Sequence, residues 1–161
     1  MTNTFSIKGT LAAAGLAAGL GASFAASGAL AAEGNVIHLT QTACQFIESE
    51  NDVDRGFTSS KKADCVAIND KTGEERLSEA KVLNLKPGKY TFRVSNQDVP
   101  YELGFWLRGE GLVSRATLPS VSGGGLVQGA SKDYVIELKP GEYLYSCPLN
   151  STPDYKLVVE G

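Results

Sequence analysis

Residues 89–95 alternate strictly, with Tyr90, Phe92 and Val94 on one side and Lys89, Thr91, Arg93 and Ser95 on the other. A period of two sends successive side chains to opposite faces, so this segment reads as a half-buried antiparallel strand. Residues 101–107, 133–138, 142–147 and 155–159 are four further strand-length segments, each bounded by Pro, Gly or Asn, and residues 35–42 supply a first strand rich in β-branched side chains. Short strands punctuated in this way specify an all-β sandwich. An internal echo supports the reading: Leu85-Lys86-Pro87-Gly88-Lys89-Tyr90 returns as Leu138-Lys139-Pro140-Gly141-Glu142-Tyr143. Pro presets the second position of a type II turn and Gly accepts the positive φ of the third, so both copies are expected to be strand-to-strand corners.

Two segments break the pattern. Residues 45–80 are dense in charge, from Glu48 and Glu50 to Glu79, and poor in large apolar residues, so they read as a surface excursion. A short helix is expected over 61–68, capped by Ser59 or Ser60 and apolar at Ala63, Val66 and Ala67, with a turn at Lys71-Thr72-Gly73. Residues 113–132, with Gly123-Gly124-Gly125 at the centre, read as a flexible loop.

The first thirty residues look like an address. Lys8 precedes an apolar run over 9–26, and Ala29-Leu30-Ala31 offers a small-x-small cleavage site, so residues 1–31 are expected to be a signal peptide, with a retained anchor as the alternative. No Arg-Arg pair is present, which favours the general secretory route and a periplasmic destination. The remainder, 32–161, has the length of one domain. Lys8 is the one basic residue of the leader, so 14 of the 15 Lys and Arg residues remain against 18 Asp and Glu. That mildly acidic balance, without a basic run, argues against nucleic-acid binding. No later segment is long and apolar enough to span a bilayer.

The C-terminal half carries a resemblance. Asn96-Gln97-Asp98-Val99-Pro100-Tyr101-Glu102-Leu103, then Pro140-Gly141-Glu142-Tyr143-Leu144-Tyr145-Ser146-Cys147-Pro148, resemble the cupredoxin pattern in which a Pro-Gly-x-Tyr-x-Tyr-x-Cys strand delivers the copper cysteine. The implied fold is a Greek-key, cupredoxin-like β-sandwich with a short helical insertion after the first strand. The likeness covers the first strand and residues 81–161, but not 45–80. Residue by residue, Tyr101 stands where the family has its first copper histidine, Asn150 is nearest to the second, and residues 148–154 hold no methionine. A blue-copper centre needs two imidazoles and a thiolate. With His38 as the one histidine and Met1 as the one methionine, a type 1 copper site is excluded by counting.

The chain is also similar to the EfeO-type cupredoxin-like domain of periplasmic iron-uptake proteins. There a cysteine follows strand one, an acidic residue occupies the strand of the first histidine, and a second cysteine ends the Pro-Gly-Glu-Tyr strand. Cys44, Glu102 and Cys147 stand at those positions. The resemblance implies copper or iron handling and a metal-uptake or other periplasmic protein as partner. The family's second glutamate is replaced by Gly104.

Three cysteines, Cys44, Cys65 and Cys147, allow one internal disulfide in an oxidising compartment. Cys44–Cys147 would tie strand one to the last strands, and Cys44–Cys65 would close the excursion. Both pairings stand open, as does a soft thiolate site for Cu(I) or Zn(II) built from these cysteines with His38. Glu102 reads as a solvated residue, with metal ligation as the sharper alternative. His38 reads as a half-exposed strand residue, and Phe105-Trp106-Leu107 with Tyr101 as core and rim packing. Asn150-Ser151-Thr152 matches a glycosylation sequon, discounted because the Ala-rich leader looks bacterial. One histidine supports no Ser-His-Asp arrangement, and Gly123 to Gly125 lacks the lysine and helix of a phosphate loop, so no enzyme is expected. Two function classes result: a metal-binding or transport accessory, and a metal-free structural or protein-interaction module stabilised by a disulfide.

Overall fold

The computed structural model describes residues 35–161, so the leader and its cleavage site lie outside the described residues. The alternation seen in the sequence builds two sheets. One has the order β2-β1-β4-β7, from β1 (Asn35–Thr42), β2 (Gln45–Phe46), β4 (Gly88–Asn96) and β7 (Ser131–Leu138). The other runs β3-β9-β8-β5-β6, from β3 (Leu83–Leu85), β5 (Leu103–Gly109), β6 (Val121–Leu126), β8 (Gly141–Ser146) and β9 (Tyr155–Val159). β1 pairs with β4 in parallel, as β3 does with β9, and the remaining ladders are antiparallel. Neighbours in each sheet are mostly non-consecutive in the chain, which makes this a Greek-key, all-β sandwich, with the helical insertion after the first strand.

Tyr90, Phe92 and Val94 of β4 point inward, as their period requires, and meet Leu103, Phe105 and Leu107 of β5 in one core. Its centre is aromatic. Phe105 stacks on Phe92 with ring centroids 5.6 Å apart, and Phe46 meets Tyr145 and Tyr155 edge-on at 5.8 Å each. Such pairs add about 0.5–1.5 kcal/mol each beyond the area they bury. Both Pro-Gly segments are strand-to-strand corners with glycine at positive φ, but Gly88 at 146° and Gly141 at 150° already open β4 and β8 and lie far from the roughly 80° of a type II turn.

The structure corrects two expectations. The helix of the excursion is not short: α1 runs Lys62–Glu79, straight through the expected turn at Lys71-Thr72-Gly73. Gly73 is buried where the helix passes Pro153, and Arg76, one turn on, reaches into the sandwich, so tertiary contacts outweigh the local glycine signal. The start is set by Asp64 rather than by a serine oxygen: its Oδ2 accepts the backbone N–H groups of Ser60 (2.8 Å) and Lys61 (3.2 Å). The glycine-rich stretch is also not a loop. It contains α2 (Gly111–Thr117) and edge strand β6, which pairs with β5 across an irregularity between Leu103 and Phe105. Here the glycines serve close approach, since a Cβ on Gly104 would lie 2.6 Å from the Gly123 carbonyl oxygen.

Among the described residues, no helix is long and apolar enough to cross a membrane. Gly104→Ala is expected to force β5 and β6 apart and lower stability by about 1–3 kcal/mol in urea denaturation. An unchanged midpoint would show that the two strands tolerate the extra methyl.

Candidate functional site: the Cys147 corner

The corner is assembled from four chain segments. β1 ends in Gln41 and Thr42, a tight turn carries Cys44 into β2, α1 brings Cys65 in its first turn, and β8 runs out into Cys147 and Asn150. Cys44 sits at φ 66°, a conformation that costs a non-glycine residue about 1 kcal/mol or more. It is held there from both ends. Its N–H donates to Asn150 Oδ1 at 3.0 Å, and its sulfur is bonded to Cys65. The Cys44–Cys147 pairing is therefore not the one formed: the turn aims Cys44 at α1, the excursion is the loop that is closed, and Cys147 is left as a buried free thiol.

Asn150 joins the segments. Besides Cys44, its amide donates to the Thr42 carbonyl at 2.8 Å and its own N–H donates to Cys147 Sγ at 3.3 Å. Tyr101 Oη donates to Asn150 Oδ1 at 3.4 Å and lies 3.0 Å from Ser59 Oγ. Asn150 is fully buried, which removes it as a glycan acceptor in the folded protein. Gly104 N–H also donates to Cys147 Sγ at 3.3 Å, and Gln41 Nε2 donates to the Gly104 carbonyl at 2.9 Å. Burial pushes the Cys147 thiol up from its ordinary pKa, only partly opposed by the N–H groups of Gly104, Asn150 and Leu149, so at neutral pH it is a protonated thiol.

A second buried cluster lies beside this corner. Glu50 and Arg76 have side chains 0% and 2% exposed, and both guanidinium Nε and Nη2 donate to the carboxylate, Nη2 at 2.5 Å. Tyr155 Oη donates to Glu50 Oε1 at 2.6 Å, Arg55 Nε donates to Oε2 at 2.8 Å, and Arg76 Nη2 also reaches the Cys44 carbonyl at 2.9 Å. Burial alone would raise the Glu50 carboxyl, but the bonds from Arg76 and Tyr155 and the guanidinium charge hold it below its ordinary value. The same surroundings push the Tyr155 hydroxyl well up, mainly through burial.

The remaining candidates are elsewhere. His38 is exposed on β1, opposite Arg93 of β4. Glu102 precedes β5, faces solvent, and accepts the Gly125 N–H at 2.7 Å. Among the described residues, no group of three or more His, Cys, Asp or Glu side chains is placed to hold a metal ion. The donor set at Cys147 does not fit type 1 copper either: it offers one sulfur, a phenol and amides, with no imidazole. Two thiols are spent in the disulfide, and a single carboxylate is a poor basis for iron. The Glu50–Arg76–Tyr155 cluster was not legible beforehand, because Glu50 and Arg76 stand 26 residues apart in a segment whose charges all look solvated.

No protein-family model matches this chain, and no curated protein matches it. Among solved structures, auracyanin B, a cupredoxin, aligns over 79% of this chain and 89% of its own at 13% identity, with a TM-score of 0.49. Lac15 from a marine microbial metagenome aligns over 78% of this chain at 15% identity and a TM-score of 0.38, and the match spans 26% of that longer protein. Such distant likeness concerns the fold, and the fold here stands on the strand order and register of the chain itself.

Because the folded Glu50 carboxyl lies below its ordinary value of 4.5, its contribution to stability is complete above that pH and is lost as pH falls through the lowered value. Glu50→Gln is expected to cost about 3–5 kcal/mol at pH 7, since it leaves Arg76 buried without its counter-charge. Urea denaturation from pH 7 downward checks both effects: the gap between wild type and E50Q should narrow only below pH 4.5. A gap independent of pH would remove the ion pair from the account.

Proposed function

We propose that this protein is an exported, non-catalytic cupredoxin-like module that works without a metal ion, as a structural or protein-interaction domain of the periplasm. One observation carries the reading: the family's metal corner is occupied by a disulfide and a closed hydrogen-bond network. Cys44 and Cys65 are joined, Cys147 is fully buried among N–H donors, and Asn150 and Tyr101 face each other where imidazoles would be needed. Export is supported by the leader at residues 1–31 and by a disulfide, which persists in oxidising compartments.

The second reading, a copper or iron accessory related to the EfeO-type domain, draws on Cys147. It remains a free thiol at the family's cysteine position. It would require the disulfide to open and at least two sulfurs to share one ion.

Native mass spectrometry of the exported protein separates the two, after incubation with Cu(I), Cu(II) or Fe(II), before and after reduction by a dithiol. The expected result is a mass two hydrogens below that of the reduced chain, with no metal retained in either state. One equivalent of copper or iron retained through buffer exchange would overturn the metal-free reading in favour of the accessory.

A further inference from the structure

A helix of 18 residues normally docks through an apolar stripe, because propensity alone holds a helix of this length only marginally in water. α1 does not dock that way. Its fully buried residues are Cys65, Gly73 and Arg76. Of its three large aliphatic residues, Val66 and Leu77 are exposed, and Ile68 alone packs against the core. What holds the helix is a row of separate attachments. The disulfide fixes its first turn, Asn69 Nδ2 donates to the carbonyls of Ser151 and Cys44, Gly73 lies against Pro153, and Arg76 grips Glu50 near its end. Asn69 and Gly73 rest on the turn that carries Cys147 and Asn150, and Cys65 lies beside the Asn150 amide oxygen.

We propose that α1 forms a strap over the turn at residues 147–153, and that the Cys44–Cys65 disulfide is its redox-sensitive latch, holding the helix on the turn that carries the Cys147 thiol while oxidised. The latch opens by reaction with a dithiol. One thiolate of the reductant attacks a sulfur of the protein disulfide, forming a mixed disulfide and releasing the other cysteine. The second thiol of the reductant then displaces the remaining cysteine, so that Cys44 and Cys65 gain two electrons and two protons and the dithiol becomes a disulfide. Both protein sulfurs are fully buried, so the reductant reaches them only when α1 lifts, and the Arg76–Glu50 grip limits how often that happens. With the latch cut, polar contacts and one isoleucine are left to hold the helix, and the turn beneath it loses its cover.

The test compares the wild-type protein with Cys44→Ser/Cys65→Ser at neutral pH. Iodoacetamide labelling of Cys147 is read by peptide mapping, and hydrogen exchange is followed in α1, β4 and β7. The expected result is labelling of Cys147 and exchange in α1 each at least tenfold faster in the variant, with β4 and β7 as protected as in wild type. Should the variant fail to fold, wild-type protein reduced with dithiothreitol gives the same two measurements. An unchanged Cys147 rate overturns the strap. So does a parallel acceleration of α1, β4 and β7, which would mean that the disulfide stabilises the whole sandwich rather than latching one part of it.

Discussion

The buried ion pair between Glu50 and Arg76 is the contact on which the arrangement of the excursion depends. Two charges removed from water are costly, and their mutual attraction offsets that cost only when geometry is good and the remaining hydrogen-bonding capacity is used. Here it is used. The carboxylate accepts from Arg76, Arg55 and Tyr155, and the guanidinium spends its other N–H groups on Asn69, the Cys44 carbonyl and the Glu50 oxygens, with Phe57 stacked at 4.9 Å. The pair links strand, turn and helix: Tyr155 belongs to β9, Glu50 to a short helical turn after β2, and Arg76 to α1. A hydrophobic contact would tolerate sliding by an ångström. A fork of donors on a carboxylate does not, so the pair fixes where α1 sits.

That rigidity makes the corner at Cys147 a closed structure rather than an open ligand site. Asn150 accepts from the turn at Cys44 and donates to the end of β1, and its backbone supports the Cys147 sulfur. A metal site would need lone pairs pointing inward to a shared centre. Here the Cys147 sulfur and the Asn150 amide oxygen are already met by donors of the chain itself, while Thr42 Oγ1 is buried without a partner among the described residues. The fold is a two-sheet β-sandwich, while the chemistry of the corner is that of a hydrogen-bonded joint.

How much of this could be read beforehand follows from the range of each interaction. The strands were legible because alternation is local: β1 at Asn35–Thr42 and the inward set Tyr90, Phe92 and Val94 come straight from the pleat. α1 and β6 were misjudged because glycine has two uses. At Gly73 it fits a helix against Pro153, and at Gly104 and Gly123 it lets strands approach, while from sequence alone both look like flexibility. Of the two disulfide pairings open beforehand, the choice was settled by the left-handed turn at Cys44, a backbone property with no local signature. Glu50 and Arg76 were hidden for the opposite reason: burial of a charge depends on a partner far along the chain.

The burial of Asn150 has a consequence for the order of events during biosynthesis. In a eukaryotic secretory pathway, a sugar chain is attached to Asn-x-Ser/Thr while the polypeptide is still emerging and unfolded, so the acceptor is chosen before the fold can hide it. A glycan placed there could not be accommodated, because the side chain it would occupy is the hydrogen-bond partner of Thr42, Cys44 and Tyr101. The chain is thus compatible only with cells that fold it before, or without, modifying it, and the choice of host for making it is already written into one buried amide.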